Sequence, residues 1–345
     1  MKFILFCNLP YAFSILKPLE LEIAKRGDEY LWYVPDTILE QFPYKKSTYT
    51  SFIEDLKNFK SDAIFVPGNE VPHYLRGLKV QIFHGLAGEK KGHFRIRDYF
   101  DLYLTQGPYF TRKFEELADK HKNFDVIETG WCKLDSLYTT SKETIDRKKD
   151  LLQKHSVKNI VLYAPTFSPS LTSGTKLLNS IEQMSLRDDI LVIIKFHDKM
   201  DNEIKKEYQS ILSKNLIISD EKDITKLLQI SDLMVSDTSS VVYEFLLLDK
   251  PVITLNSRSE NINWLDTDDE KNVEKYAVQI LSGEDKHKNK RQETIKEYHP
   301  YSDGHSAKRM IDGVISYINS SGVPEKRKLP LLRKLKINNK FGWFV

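Results

Sequence analysis

The chain has 345 residues, 40% of them hydrophobic and 29% charged, with a formal net charge of +3 and two cysteines. This length suits two domains of ordinary size, and the composition excludes a disordered or fibrous protein. The two distant cysteines argue against a disulfide scaffold and fit a reducing cytoplasm, and no apolar run approaches the ~20 residues that span a bilayer. The apolar N-terminus is interrupted by Asn8 and Pro10, so we interpret it as a first strand rather than as a signal peptide.

The N-terminal half alternates short apolar strands with amphipathic helices. A helix is predicted over Pro18 to Lys25, because proline is favoured at the start of a helix and glycine, here Gly27, just past its end. The predicted strands are Lys2 to Cys7, Tyr30 to Val34, Ala63 to Val66, Val80 to Phe83, Leu102 to Thr105 and Val126 to Glu128. Such alternation predicts a parallel sheet covered by helices on both faces.

A polar, charged stretch between Thr139 and Lys158 precedes a second series of strands. These are Ile160 to Tyr163, Ile190 to Lys195, Leu216 to Ile218, Leu233 to Ser236 and Val252 to Leu255. We therefore predict an α/β protein with two doubly wound, Rossmann-like parallel-sheet domains, residues 1–150 and 151–318, and a tail, residues 319–345. The domains are expected to face a central cleft lined by the carboxyl ends of the strands.

The turn Asp237-Thr238-Ser239-Ser240 lies between a predicted strand and a helix from about Val241 to Leu248. Hydroxyls and unpaired backbone N–H groups at a helix start favour an anionic, phosphate-bearing ligand. The alternative is that these four residues serve only as N-caps, for which Ser, Thr and Asp are favoured.

Polar and special residues also follow the other predicted strands. The segments are His84 to His93, Gln106 to Pro108, Thr129 to Asp135, Ala164 to Phe167 and Lys195 to His197. Because carboxyl ends of parallel strands are where α/β proteins bind ligands, these loops are candidates for a site.

Six segments match, in order, the motifs of one known family. In the first half, His84 to Gly92 resembles His-Gly-Thr-Pro-x-Lys-x-x-Gly, and Gly130 to Asp135 resembles Gly-x-Pro-Arg-x-Asp. In the second half, Leu162 to Thr166 resembles Tyr-Ala-Pro-Thr, and Lys195 to His197 resembles Lys-x-His-Pro. Asp237 to Glu244 resembles Asp-Tyr-Ser-Ser-x-x-x-Asp, and Asp303 to Arg309 resembles Asp-Gly-x-x-Ser-x-Arg. The family is that of the CDP-glycerol glycerophosphotransferases, the primases and polymerases of teichoic-acid and capsule polymers, and the resemblance implies a GT-B architecture.

The chain departs from these motifs at several positions. Leu86-Ala87 replace Thr-Pro, Cys132-Lys133 replace Pro-Arg, Asp198 replaces Pro, Thr238 replaces Tyr, Glu244 replaces Asp, and Ala307 stands where the family has Ser. The departures favour a relative with an altered donor or acceptor.

The resemblance implies transfer of a phospho-alcohol unit from a CDP-activated donor to a hydroxyl of a cell-surface polymer or lipid-linked acceptor, releasing CMP. His84 would be the base for the acceptor hydroxyl, with His197 as a second catalytic residue. The residues assigned to the donor are Thr166, Lys195, Asp237, Thr238, Ser239, Ser240, Glu244, Ser306 and Arg309. Those assigned to acceptor phosphates are Lys90, Lys91 and His93. No cluster has metal-ligand spacing, so we expect no tightly held metal, while free Mg²⁺ is compatible with the donor diphosphate.

The tail after Gly322 contains one acid, Glu325, and seven basic residues interleaved with leucines and a terminal aromatic cluster. This composition favours docking on an anionic membrane surface, and hence a cytoplasmic protein peripheral at the inner face of the plasma membrane. The alternatives are that the tail packs back onto the first domain or binds nucleic acid. Nothing else in the chain suggests nucleic acid.

Two other functions stay open from the sequence. A nucleotide-sugar glycosyltransferase or a UDP-sugar 2-epimerase would share the two-domain architecture. A non-catalytic assembly protein would fit the departures from the motifs, whereas the retained His84, His197 and Ser239-Ser240 count against it.

Overall fold

The strands and helices below are those of a computed structural model of the chain, which describes residues 1–86, 93–221, 223–259, 262–325, 327 and 329–342. The strands are β1 Lys2–Phe6, β2 Glu29–Tyr33, β3 Tyr49–Thr50, β4 Ala63–Val66, β5 Leu78–Gln81, β6 Leu102–Thr105, β7 Asp125–Glu128, β8 Asn159–Tyr163, β9 Ile190–Ile194, β10 Leu216–Ile218, β11 Leu233–Ser236, β12 Val252–Leu255 and β13 Leu265–Thr267. The helices are α1 Ala12–Lys25, α2 Asp36–Leu39, α3 Ile53–Phe59, α4 Pro108–His121, α5 Asp135–Tyr138, α6 Lys142–His155, α7 Leu178–Ser185, α8 Asn202–Gln209, α9 Thr225–Ile230, α10 Val241–Leu246, α11 Val273–Leu281, α12 Lys288–Tyr298, α13 Ser306–Ser321 and α14 Leu331–Phe341.

Two parallel sheets organise the chain, which confirms the predicted α/β fold class. The first is seven-stranded, in the order β3-β2-β1-β4-β5-β6-β7, and the second is six-stranded, in the order β10-β9-β8-β11-β12-β13. The central strands β1, β4, β8 and β9 are almost wholly buried apolar runs, as strands covered on both faces require. Each sheet reverses its strand order once, between β1 and β4 in the first and between β8 and β11 in the second.

The chain divides into two compact units at different places from those predicted. The first unit combines residues 1–136 with residues 297–345, and the second is residues 137–296. The chain therefore returns to the first unit near the end of α12, and α13 packs there against α1. Arg26 of α1 donates to the Asp312 carboxylate at 2.7 Å, which ties these two helices together. Such contacts between distant segments leave no local mark in the sequence.

Two element boundaries differ from the prediction for physical reasons. Helix α1 begins at Ala12, with Pro18 inside it, because its apolar face is buried along its whole length. Burial of that face offsets the ~3 kcal/mol that an interior proline costs. Strand β5 ends at Gln81 rather than at Phe83, whose φ of 60° lies in the left-handed region and breaks the extended backbone.

The tail packs onto the first unit. Leu329 and Ile337 are buried in the same apolar cluster as residues of β1, β2 and β4. Four cations of the tail form ion pairs with acids of the unit: Arg327 with Asp101, Arg333 with Asp98, and both Lys336 and Lys340 with Glu70. Trp343 and Phe344, which contributed to the membrane prediction, lie outside the described residues.

Candidate active site

His84 lies above the strand-order reversal of the first sheet. Its Nδ1 is 3.0 Å from the carbonyl oxygen of Pro67, which follows β4, and its ring centroid is 5.1 Å from that of Tyr11, which follows β1. The reversal point of an open α/β sheet is where ligands bind, outside the carboxyl ends of the strands. The imidazole is exposed there, so a substrate hydroxyl can approach it.

His93 lies in an aromatic cluster beside this loop. Its ring stacks on Phe83 at 5.4 Å and contacts Phe110 at 5.4 Å and Phe94 at 5.0 Å. Burial, followed by the nearby charge of His84, lowers the pKa of His93 to about 4. The ring is therefore neutral near pH 7, which does not favour direct attraction of a phosphate. Its assignment to the acceptor stays a prediction, and Lys90 and Lys91 lie outside the described residues.

The second unit places Asp237 and Thr166 together at its own reversal point. The buried Asp237 carboxylate accepts hydrogen bonds from the Thr166 N–H at 2.9 Å and from both the N–H and the hydroxyl of Ser173, at 2.8 and 2.9 Å. Burial raises the pKa of this carboxyl, against the opposing effect of these hydrogen bonds. Asp237 thus holds the loop that follows β8, a positioning role that is distinct from capping α10.

The turn after Asp237 keeps its hydroxyls near the start of α10. Ser240 occupies the N-cap position but makes no side-chain capping bond, and Thr238 Oγ1 accepts from the Arg258 N–H at 2.9 Å. Ser239 is half-buried and Ser240 exposed, while Glu244 lies in the first turn of the helix. Their assignment to donor phosphates and ribose stays a prediction.

His197 and Lys195 follow β9, next to the same edge. The Lys199 N–H donates to His197 Nδ1 at 3.1 Å, and the ring centroid lies 4.3 Å from that of Phe167. Lys195 Nζ donates to the Phe196 carbonyl at 2.7 Å. Burial lowers the pKa of His197, and the charges of Lys199 and Lys195 lower it further against the effect of Asp198.

Ser306 belongs to the first unit. It lies where residues 129–135 hold the chain that returns from the second unit, and this contact region is called the junction. The Asp135 carboxylate accepts the Ser306 N–H at 2.8 Å and the Ala307 N–H at 2.7 Å. Gly130 has φ +79°, and a Cβ there would lie 2.6 Å from Ser306 Oγ, so only glycine fits. His299 Nε2 accepts the Trp131 N–H at 2.9 Å. The Gly130 to Asp135 segment, expected near the substrate, therefore anchors the return to the first unit.

Arg309 is engaged in the same junction. Its guanidinium donates to the Thr129 carbonyl at 2.9 Å, to Ser306 Oγ at 3.1 Å and to the Asp303 carboxylate at 2.7 and 3.1 Å. These bonds occupy both terminal nitrogens and Nε. Donor binding by Ser306 and Arg309 stays a prediction, whereas their structural role is visible in the geometry.

Two groups of site residues were missed by the sequence reasoning. In the first unit, Arg97 Nη1 donates to Asn69 Oδ1 at 3.2 Å, just beyond the carbonyl that His84 contacts. In the second, a pocket of about 560 Å³ opens beside the Asp237 turn, and polar side chains including Thr172, Lys176 and Arg258 line it. The only available signals were isolated polar residues in long loops, which carry no periodicity.

The described residues contain neither a group of three His, Cys, Asp or Glu side chains arranged to hold a metal ion nor a helix of the length and apolarity that a bilayer span needs. The expectation that the protein holds no tightly bound metal stays a prediction.

Comparison with known proteins decides the family. The family described as CDP-Glycerol:Poly(glycerophosphate) glycerophosphotransferase matches residues 81–260, just over half of the chain. The chain belongs to this family. The resemblance inferred from the six segments is thereby confirmed.

Individual relatives of this glycerophosphotransferase-family chain are distant. The teichoic acid glycerol-phosphate primase of Bacillus spizizenii is 33% identical over 148 residues, which cover 40% of this chain and 37% of the relative. The chain spans less than half the length of the curated relatives it matches.

Solved structures agree on the fold. The wall teichoic acid polymerase TagF has a TM-score of 0.64 and 15% identity, covering 92% of this chain and 89% of that one. A putative UDP-N-acetylglucosamine 2-epimerase from Listeria monocytogenes also has a TM-score of 0.64 and 15% identity, covering 94% and 98%. Both likenesses support the predicted GT-B-like fold, and neither separates one activity from the other.

The range matched by the glycerophosphotransferase family divides the candidate residues. His84, Thr166, His197 and the turn from Asp237 to Ser240 lie within residues 81–260, whereas Ser306 and Arg309 lie beyond it. The residues inside the range are those found at the carboxyl edges of the two sheets.

Proposed function

We propose that this chain transfers a polyol phosphate unit, such as glycerol phosphate, from a CDP-activated donor to a hydroxyl of a cell-surface polymer or lipid-linked acceptor, releasing CMP. Family membership supports the reaction class, as do relatives named as teichoic acid primases and polymerases. The observation that carries the proposal is the opposite hydrogen bonding of two histidines, His84 and His197, at the carboxyl edges of the sheets.

His84 is arranged as a base. A carbonyl oxygen only accepts, so Nδ1 must donate to the Pro67 carbonyl, and the neutral ring then carries its lone pair on Nε2. Nε2 of an exposed neutral imidazole can take the proton of an acceptor hydroxyl. The backbone thus selects the tautomer that general-base catalysis requires.

His197 is arranged as a hydrogen-bond donor. Its Nδ1 accepts the Lys199 N–H, so the proton of the neutral ring is on Nε2. The lowered pKa keeps the ring neutral near pH 7, and it can donate from Nε2 to a phosphate oxygen.

In the proposed reaction the acceptor oxygen forms a bond to the distal phosphorus as the bond from that phosphorus to the bridging diphosphate oxygen breaks. The acceptor proton passes to Nε2 of His84, and CMP leaves with the electron pair. His197, Ser239 and Ser240 stabilise the charge on the phosphate oxygens, while Asp237 fixes the position of Thr166. The donor diphosphate can bring Mg²⁺ with it, and no protein group is assigned to the ion.

The test is CMP release by the purified chain from CDP-glycerol and CDP-ribitol, with UDP-sugars in parallel, in the presence of a lipid-linked acceptor fraction. We expect CMP from one CDP-alcohol and its loss in His84→Ala that keeps the wild-type thermal unfolding curve. Release of UDP without CMP would instead establish a nucleotide-sugar enzyme. If the chain binds a donor but releases no nucleotide with any acceptor, an assembly protein is favoured.

We further propose that the chain is peripheral at the inner face of the plasma membrane. Leu331 and Leu332 support this, because they are 71% and 81% exposed at the start of α14. Sedimentation with anionic phospholipid vesicles should be lost when both are changed to Glu and kept in the control Leu212→Glu, which alters a leucine that is 92% exposed in the second unit. Equal sedimentation of all three proteins would contradict the location.

A further inference from the structure

Two arginines, Arg95 and Arg97, follow His84 in the chain, and Arg97 contacts Asn69, which lies beyond the carboxyl end of β4. Arg97 Nη1 donates to Asn69 Oδ1 at 3.2 Å and to the Arg95 carbonyl at 3.1 Å. Asn69 is two residues beyond Pro67, whose carbonyl accepts from His84. Two residues of extended chain span at most ~7 Å, so the guanidinium lies within reach of a ligand bound at the imidazole.

Among the described residues of the first unit, Arg95 and Arg97 lack an acid partner, as does the exposed Arg76, whereas the remaining arginines have one. Five other arginines of the unit each form an ion pair: Arg26, Arg112, Arg309, Arg327 and Arg333. Among the described residues, neither Arg95 nor Arg97 has a carboxylate oxygen within 4.0 Å. The neighbouring acid, Glu70, is already paired with Lys336 and Lys340.

The surroundings of Arg97 favour binding of an anion to its guanidinium. The residue is half-buried, and its pKa is lowered first by burial and then by the charge of Arg95. A half-buried guanidinium that keeps several N–H donors available matches the paired oxygens of a phosphodiester. A neutral sugar hydroxyl would satisfy neither the charge nor the fork of donors.

We infer that Arg97, assisted by Arg95, binds a phosphodiester of the acceptor one unit behind the hydroxyl that reacts at His84. The inference rests on the proposed function and extends it to the class of acceptor. The preferred acceptor then already ends in a polyol phosphate, so the chain elongates such a polymer rather than priming a neutral glycan end. A reaction that attaches the first polyol phosphate to a neutral end must supply this acceptor.

Kinetics with paired acceptors test the inference. One acceptor ends in a single glycerol phosphate unit, and the other has the same lipid and sugar but a neutral terminal hydroxyl. Arg97→Gln is expected to lower kcat/KM for the phosphorylated acceptor by about 10- to 100-fold and for the neutral one by no more than about twofold. Arg97→Lys should fall between, because it keeps the charge and loses the fork.

The matched control is Arg76→Gln, which removes an exposed arginine just before the amino end of β5 and should leave both acceptors unchanged. Equal losses on the two acceptors, or no loss on either, would overturn the inference. So would a wild-type preference for the neutral acceptor.

A binding measurement separates this inference from the proposed function. A short fluorescent poly(glycerol phosphate) oligomer should bind the wild type and lose about 10- to 100-fold in affinity with Arg97→Gln, while an uncharged oligomer of matched length should not bind. If no CDP-alcohol yields CMP but this difference in binding holds, the proposed function fails and the phosphodiester site stands. If CMP is formed and the two proteins bind the oligomer equally, the site fails and the function stands.

Discussion

At the carboxyl edge of the first sheet, the Pro67 carbonyl accepts from Nδ1 of His84, whereas at the edge of the second sheet the Lys199 N–H donates to Nδ1 of His197. Each histidine follows a parallel strand of a doubly wound sheet and is exposed. The chemical difference comes from one backbone group in each unit. When a carbonyl accepts from Nδ1, Nε2 of the neutral ring is a hydrogen-bond acceptor, and when an N–H donates to Nδ1, Nε2 is a donor.

The two edges also use carboxylates differently. Asp237 in the second unit holds the loop of Thr166 beside the predicted donor site, whereas Asp135 in the first unit holds the start of α13. Both carboxylates are buried and receive backbone N–H groups, and burial raises the pKa of both. Similar buried carboxylates therefore hold a loop beside the predicted site in one unit and the returning chain in the other.

The largest expected effect distinguishes the two histidines. His84→Gln should reduce kcat by about 10²- to 10⁴-fold, because an amide cannot act as a base. His197→Gln should lose about tenfold, because the Gln amide can still donate near the position of Nε2, and His197→Ala should lose about 10²- to 10³-fold. CMP release under saturating donor measures each value, and equal retention of activity in both Gln variants would remove the proposed difference.

An intermediate effect is expected from the two carboxylates. Asp237→Asn should lower kcat/KM for the donor by about 10- to 100-fold, because an amide NH₂ would face the N–H donors of Thr166 and Ser173. Asp135→Asn should lower the stability of the first unit by about 2 kcal/mol and change kcat/KM by less than about twofold. Donor titrations and thermal unfolding give the two readouts.

An equal rise in the donor KM in Asp135→Asn and Asp237→Asn would contradict this expectation. It would show that the returning segment, with Ser306 and Arg309, also takes part in donor binding.

The last expected effect concerns stability rather than activity, and it is acid sensitivity of the first unit. His93 and His299 each have a pKa of about 4 because burial disfavours the charged ring, while an unfolded histidine titrates near 6.5. Between pH 6.5 and 4 the unfolded state binds more protons, so stability is lost as pH falls, by up to about 3 kcal/mol per histidine. His93→Phe should flatten this loss in thermal unfolding followed by tryptophan fluorescence, and an unchanged pH slope would contradict the assignment.

Much of the fold could be predicted because its signals are local. Strands β4, β6, β10, β11 and β12 have the predicted bounds, since these parallel strands are short apolar runs ended by polar residues. The two-residue strand β3 and the edge strand β13 escaped prediction, because their pairing depends on partners distant in sequence. Local preference favours Pro18 at a helix start, and only burial of the helix face decides otherwise.

The candidate site was predictable in residue type but not in arrangement. Motif spacing identified His84, His197 and Asp237, because strand ends and glycine turns mark the binding edge of a parallel sheet. The hydrogen-bond partners Pro67 and Lys199, which set the two tautomers, belong to no motif.

The sequence by itself determined the two parallel sheets, the family resemblance and the histidines at the strand ends. Only the tertiary structure decided that the chain returns to the first unit, that the basic tail forms α14 against that unit, and that neither Arg95 nor Arg97 has an acid partner among the described residues. The physical reason is range: periodicity and turn chemistry act between near neighbours in the chain. Ion pairing, burial and tautomer choice depend instead on groups that only the folded chain brings together.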